Sequence, residues 1–496
     1  MGVTLDRALN WRQHIKEKLG VCKGILINVI NKYRHTHKAK PKLMKWIYTG
    51  VIRPKFTYAC MIWAPHVKTK LIKRQIETLN RLACTLVTGM KRSTPQKSLE
   101  ILIDLEPLLL HLEKVGLTSY IRQRAKIDDA NWAVKEGTSH ITHWKNKIII
   151  KNDMSINSDV CNEQITERKV DINLESFDGS DKHLARSQFT VYTDGSKVNS
   201  GTGSGFVVYH NRTRIHTESI SLPDYATVFQ AEILAINQAC QYMLSISEDY
   251  NIKYIKIFSD SQAAILALHN TRIKSLSVLE TLEYVETLAH RVRRMTLAWI
   301  KAHVNHEGNE AADEAAKEGA TGGQCIRKIT ALRPWAQIKT DIDGYIRNKW
   351  KEQWISDDRF KHSKLYMNGP NKAKSKGLLK LSTLALTEVI EGITGHNNLA
   401  YFQAKLNPNI DPTCRLCKEG KETLYHLMTE CEALSIQHLE ILENKYPTPD
   451  ASWSTKKLIE FMQQPKVHNL LNNETPYEER EILYLEQNYT DEEDTD

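Results

Sequence analysis

Apolar residues recur at three- and four-residue steps along the first part of the chain. Leu9, Ile15, Leu19, Cys22 and Leu26 share one face of a helix over residues 5–35. A second apolar helix, PKLMKWIYTGVI, begins at Pro41, where proline suits a first turn. Pro54 and Pro65 interrupt the next stretch, and helical spacing returns over 68–90 and 96–125. Residues 151–187 hold no sustained apolar period and read as a polar connection. From residue 189 the period shortens. FTVYTDGS, GSGFVVYH and RTRIHTESISL predict three short strands. A helix over 226–247, the strand NIKYIKIFSD, the short helix SQAAILALHN, the helix SVLETLEYVETLAHRV, the strand RMTLAWIKAH and the closing helix NEAADEAAKEGA follow. That order is mixed α/β. Residues 323–395 return to helix, basic in part, and no internal repeat interrupts the series.

Length and composition narrow the class. A chain of 496 residues predicts two to four domains. With 41% hydrophobic and 26% charged residues, the composition is that of a globular protein. No apolar run approaches the ~18 residues that span a bilayer, so no membrane association is expected. The N-terminal MGVTLDRALNWRQHIKEK lacks the apolar core of a secretory signal. Nine scattered cysteines fit a reducing, intracellular compartment, nuclear or cytoplasmic. Charge is uneven within a net of +9: residues 1–130 carry 25 Lys and Arg against 9 Asp and Glu, and the last twenty residues are acidic. A basic block of that size favours nucleic-acid backbones through counterion release.

Four acids stand where solvated charges are not expected. Asp194 ends the first strand, Glu232 shares a helix face with Phe229, Ile233 and Ile236, Asp260 ends YIKIFSD, and Asp313 lies early in the last helix. Strand ends in α/β sheets collect functional side chains. Four carboxylates at one sheet edge repel unless cations lie between them, and hard oxygen donors suit Mg²⁺ or Mn²⁺. Two such ions roughly 4 Å apart suit in-line hydrolysis of a phosphodiester.

TDGS around Asp194, AE around Glu232, FSDSQAA around Asp260 and WIKAHVNHEGNEAADEAA with Asp313 together resemble the four active-site motifs of type-I ribonuclease H. The resemblance spans about a quarter of the chain. It implies endonucleolytic hydrolysis of the RNA strand of RNA–DNA hybrids with two Mg²⁺ or Mn²⁺ ions held by Asp194, Glu232, Asp260 and Asp313. It implies that His303 assists proton transfer and product release, a task suited to a neutral imidazole. His306 matches no motif position. Ser196 and Gln262 become candidates for contact with the hybrid's minor groove, where 2′-hydroxyls are displayed. Asn309 is a candidate substrate contact and helix cap. A basic insertion found in some family members is absent, with only TRIKS in its place.

Cys414, Cys417, His426 and Cys431 follow a C-x2-C-x8-H-x4-C pattern. Three thiolates and an imidazole suit one structural tetrahedral Zn²⁺, which adds folding energy to a small module. Arg415, Lys418 and Lys421 leave room for a nucleic-acid role.

GVTLDRALNW at 2–11, KWIYTGVIRPKFTYACMIWAPH at 45–66, NRLACTLVTGMKRSTPQKSLEILIDLEPL at 80–108 and TGHNNLAYFQAKLNPNIDPTCRLC at 394–417 resemble the C-terminal part of a non-LTR (LINE-type) retrotransposon polyprotein. No Tyr/Phe-x-Asp-Asp strand motif of a polymerase lies in residues 1–130, and Asp128–Asp129 follows a helical, basic run. The expectation is a chain truncated at its start, without polymerase activity of its own, whose upstream polymerase domain is missing. The expected fold class is α/β: a central RNase H-like domain with a mixed five-stranded sheet flanked by helices, an N-terminal α-helical module and a small C-terminal zinc module. The expected division is 1–130 helical reverse-transcriptase remnant, 131–187 linker, 188–322 RNase H domain, 323–400 helical segment, 401–436 zinc module and 437–496 helical and acidic tail. A catalytically silent nucleic-acid-binding remnant is the alternative, disfavoured because all four acids are present. A transposase or integrase of similar fold is a third reading. Those sites usually use three acids and lack the loop from WIKAH to Asp313.

Overall fold

The computed structural model describes residues 2–7, 10–34, 40–91, 93–124, 144, 153, 169–177, 188–270, 273, 275–301, 306–322, 326–445, 447 and 455–471. These fall into two compact units, one of residues 114–344 and one that joins residues 1–113 with residues 345–496.

The unit of residues 114–344 is built on a seven-stranded sheet. Its strands are β1 (Asp171–Phe177), β2 (Phe189–Val198), β3 (Gly201–His210), β4 (Thr213–Leu222), β5 (Tyr254–Ser259), β6 (Arg294–Ile300) and β7 (Arg327–Lys328). Their order across the sheet is β1-β6-β5-β2-β3-β4-β7. The inner five strands are those the sequence predicts. The outer two correct the five-strand expectation. Within the stretch read as linker, β1 pairs parallel with β6, and within the stretch from 323 read as helical, β7 pairs parallel with β4.

Helices α8 (Val228–Ser245), α9 (Gln262–His269), α10 (Leu276–Arg291) and α11 (Glu307–Thr321) accompany the sheet. Thr227 and Gln230 form a capping box that starts α8, and the helix then buries Ile233, Ile236, Ala239, Cys240 and Met243. These meet Val191, Phe206, Ile257 and Leu297 from the sheet in one core. Small residues set the approach of α11. Ala312 and Ala316 meet Gly205 of β3, where a side chain would collide with the α11 backbone. Asp153 is a buried tie from outside the regular elements. It accepts hydrogen bonds from Ser275 Oγ, Ser277 N, Ser277 Oγ and Gln230 Nε2, fixing the starts of α10 and α8 together.

The other unit is helical among its described residues. It comprises α1 (Arg12–Arg34), α2 (Pro41–Ile47), α3 (Arg53–Phe56), α4 (Cys60–Trp63), α5 (Lys70–Thr88), α6 (Gln96–Leu102) and the start of α7 (Leu108–Arg124). It continues with most of α12 (Trp335–Ile355), then α13 (Lys361–Tyr366), α14 (Lys372–Leu378), α15 (Thr383–Thr394), α16 (Ala400–Leu406), α17 (Leu424–Thr429), α18 (Ser435–Leu442), α19 (Thr455–Met462) and α20 (Pro465–Leu471). In α5, Thr69 caps the start and Gly89 ends it in the left-handed region. Its buried face runs Ile72, Ile76, Leu79, Ala83 and Val87. Segments far apart in sequence meet here: Thr387 Oγ1 donates to the Thr88 carbonyl at 2.8 Å, and Ser363 Oγ to Ser98 Oγ at 2.9 Å. No described helix is long and apolar enough to cross a membrane.

Candidate active site and candidate zinc centre

Parallel pairing places two of the acids side by side. The register of β2 and β5 matches Thr193 with Ser259, so Asp194 and Asp260 each lie one residue beyond that rung. Neighbouring strands are about 4.8 Å apart, which brings the two carboxylates within reach of each other. The third acid comes from α8, and Gly195 admits it. A Cβ at Gly195 would lie 2.5 Å from the Glu232 backbone nitrogen, so only glycine lets the helix come this close. The result is a cluster in which one oxygen from each of Asp194, Glu232 and Asp260 lies within 4.8 Å of the others.

Electrostatics mark the cluster as cation-hungry. Asp194 and Glu232 are both only 6% exposed. Burial, then the charges of Asp194 and Asp260, push the Glu232 carboxyl up to about 9. Burial, then Asp260 and Asp313, raise Asp194 well above the carboxylate range. Burial also raises Asp260, against the hydrogen bonds it accepts from Asn309 and Asp194. Glu232 Oε2 is buried with no hydrogen-bond partner. Buried anionic oxygens that raise one another's proton affinity, one of them unpartnered, fit hard divalent cations, which would replace the protons.

Asp313 stands slightly apart. It is close enough for its charge to raise Asp194 and Asp260, yet its Oδ2 pairs with Lys317 at 2.6 Å, one turn along α11. A fourth carboxylate added to three meets their repulsion, and Lys317 offers a nearer neutralising charge.

Two positioning groups surround Asp260. The indole of Trp299 donates to the Asp260 carbonyl at 3.0 Å, tying β6 to the end of β5. Asn309 is 5% exposed and bonds the Asp260 side chain, while its Oδ1 has no partner. The helix-cap expectation for Asn309 is therefore corrected. The N-cap position of α11 is His306, and Asn309 sits in the first turn facing an acid. Ser196 is half-buried on β2 opposite Gly203, and Gln262 is exposed at the first position of α9 behind the capping Ser261. His303 lies outside the described residues. Sequence reading missed Gly195, Trp299 and Lys317 as parts of the site. The Trp within RMTLAWIKAH was the available signal for Trp299.

A family model, RNase H, matches residues 186–321. Residues 186–321 are an RNase H domain. Solved structures similar to this domain include RNase H1 from the halophilic archaeon Halobacterium salinarum NRC-1, at 18% identity and TM-score 0.22 over 26% of this chain and 96% of that one. LC11-RNase H1 in complex with an RNA/DNA hybrid is similar at 16% identity and TM-score 0.23 over 26% and 97%. The N-terminal RNase H domain of rv2228c from Mycobacterium tuberculosis is similar at 19% identity and TM-score 0.22 over 26% and 96%. No curated protein matches the chain. Within the RNase H domain, the sheet ends gather the acids and the helices deliver Glu232 and Asn309.

The Cys/His set also converges. One ligand atom from each of Cys414, Cys417, His426 and Cys431 lies within 4.8 Å of the others. Cys414 Sγ and Cys431 Sγ are 3.9 Å apart, and Cys417 Sγ is 3.2 Å from His426 Nε2. Zinc–sulfur bonds near 2.3 Å in a tetrahedron give sulfur separations of about 3.8 Å. His426 Nδ1 meets Glu430 Oε2 at 3.3 Å, which leaves Nε2 facing the thiols. Burial first, then the neighbouring thiols, raises Cys431 to about 12, and burial likewise raises Cys414.

Proposed function

We propose that the RNase H domain hydrolyses the RNA strand of RNA–DNA hybrids with two divalent cations, Mg²⁺ or Mn²⁺, held by Asp194, Glu232, Asp260 and Asp313. The observation that carries this reading is the convergence of two buried carboxylates and the half-buried Asp260, with an unpartnered Glu232 oxygen. The bound cations would supply charge neutralisation and an activated water. The chain's own residues do the rest. Asp194 and Glu232 ionise as their protons leave. Asn309 and Trp299 hold Asp260 in place. Ser196 and Gln262 contact the minor groove of the hybrid. His303 takes up or returns a proton near the scissile phosphate. In the reaction a water oxygen bonds to phosphorus, the bond to the 3′ oxygen breaks, and the products are a 3′-hydroxyl and a 5′-phosphate.

In the helical unit, Cys414, Cys417, His426 and Cys431 hold one structural zinc with no open position, as their separations support. The basic N-terminal stretch gives the RNase H domain a second hold on nucleic-acid backbone. The whole chain then belongs to a LINE-type retrotransposon machinery acting with a polymerase domain inside the cell. The family-like segments quoted above support that context.

The test is cleavage of an end-labelled hybrid by the full chain. Cleavage with Mg²⁺, none without it, and none by Asp194→Asn with Mg²⁺ is the expected result. Cleavage by Asp194→Asn at the wild-type rate refutes the metal role. An intact hybrid after prolonged incubation of the wild-type chain refutes the activity.

A further inference from the structure

The helical unit contains a cavity of about 220 Å³ that the hydrolytic reading does not use. It is bounded by the start of α13, the α15–α16 connection, α16 itself and the loop before α17, with Pro95 and Ser98 at one side. Its chemistry is rings and cations. Phe360, Tyr401 and Phe402 line it together with His362 and His396. Tyr401 is half-buried, with Lys405 Nζ 4.4 Å and Lys421 Nζ 5.5 Å from its ring centre. The His396 ring lies 4.8 Å from that of Phe402, and His362 is 6.5 Å from Tyr401.

The cations there are unneutralised. Lys361, Lys405 and Lys421 are exposed and make no ion pair with a described carboxylate. Arg359 differs, because Asp357 grips it at 2.8 and 2.7 Å. The one acid in the lining, Glu422, is fully buried and already committed. It accepts from Arg415 Nε and Nη2 at 2.7 to 3.0 Å and from the Ala400 backbone at 2.8 Å. Burial, then the charges of Lys405 and His396, lowers His362.

We propose that this cavity binds single-stranded nucleic acid, with one base among the rings of Tyr401, Phe402 and Phe360 and a flanking phosphate on Lys361 and Lys405. Three features select that ligand. Drug-sized ligand sites are roughly 300–1,000 Å³, so this smaller cavity takes a group the size of one base. A base must be unpaired and splayed out to enter it, which excludes a duplex. Aromatic rings interleaved with unpaired cations are the pattern that stacks bases and tracks a backbone. A bare anion would use the cations and leave three rings without a role.

The site is distinct from the carboxylate cluster and needs no metal there, so a single strand of DNA tests it separately from hydrolysis. Fluorescein-labelled oligo(dT) is titrated into the full chain without Mg²⁺ and followed by anisotropy across a salt series. Tyr401→Ala should weaken binding about 10-fold, since one stacked base is worth ~1–3 kcal/mol, and Tyr401→Phe should restore it. Lys405→Gln should lower the slope of log affinity against log salt by about 0.7, one phosphate contact on a single strand. Irradiated 5-bromodeoxyuridine-substituted oligo(dT) should crosslink within residues 397–405. Crosslinks confined to residues 1–130, or a Lys405→Gln slope equal to wild type, would overturn the proposal even where Tyr401→Ala fails to fold. Displacement of the oligonucleotide by polyglutamate at equal charge concentration would overturn it in favour of an acidic peptide.

Discussion

Glu232→Gln removes the charge of the most perturbed acid in the cluster while keeping its shape. In the folded RNase H domain the Glu232 carboxyl is pushed up to about 9, whereas an unfolded glutamate titrates near 4.5. Between those values the folded state holds a proton that the unfolded state has released. Stability is therefore unaffected below about 4.5 and falls as pH rises toward 9. At pH 7 the deficit is 1.36 kcal/mol for each of roughly 2.5 pH units, about 3 kcal/mol. At 6% exposure the side chain gains little solvent screening. Glutamine carries no proton to lose, so without Mg²⁺ the variant should be the more stable protein by about 3 kcal/mol at pH 7. Cys240 reports this directly. It is fully buried in α8, and its thiol is pushed up to about 12 by burial. Pulsed labelling of the full chain, read at the Cys240 peptide by mass spectrometry, measures opening of this domain alone. The variant should label about 300-fold more slowly than wild type at pH 7. That ratio should grow about tenfold per pH unit between pH 5 and 8. Mg²⁺ should protect the wild type and leave the variant nearly unchanged. A labelling ratio that does not vary with pH would refute the account of the buried, protonated acid.

Other expectations follow from the same packing. Gly195→Ala places a methyl against the Glu232 backbone, so hybrid cleavage should fall at least about 10-fold and Cys240 protection should drop by ~1–3 kcal/mol. Wild-type protection would show that α8 is free to retreat. Glu100 is 3% exposed and bonded by Asn80 and Gln96, and burial raises it to about 7. Its folded form keeps a proton between about 4.5 and 7, so Glu100→Gln should add ~3 kcal/mol at pH 8 and nothing at pH 4, measured by urea denaturation. Removing zinc with a chelator should expose Cys414 and Cys431 to thiol reagents while Cys240 stays protected, and Cys414→Ser should lower zinc content from about one per chain toward zero by elemental analysis. Equal zinc in both proteins would refute the ligand set.

The local pattern of the chain was enough to mark the inner strands, the helices between them and the acids at their ends. Alternation, helical spacing and short motifs are properties of neighbouring residues, so Asp194, Glu232, Asp260 and the spacing of Cys414 to Cys431 are legible one segment at a time. The tertiary structure decided what those residues become to one another. Parallel register, set by backbone pairing between chain-distant strands, puts Asp194 beside Asp260. It is the close approach at Gly195 that brings Glu232 to them. Asn309 is a cap by sequence and a partner of Asp260 by packing, while Asp313 answers to Lys317. Edge strand β1 packs Ile172 and Leu174 against the core and pairs with β6, while β7 is only two residues long, too few to show a period. Joining residues 1–113 to residues 345–496 depends on contacts across about 300 residues. No periodicity records a partner that far away, because the pairing energy is realised only after the chain between them has folded.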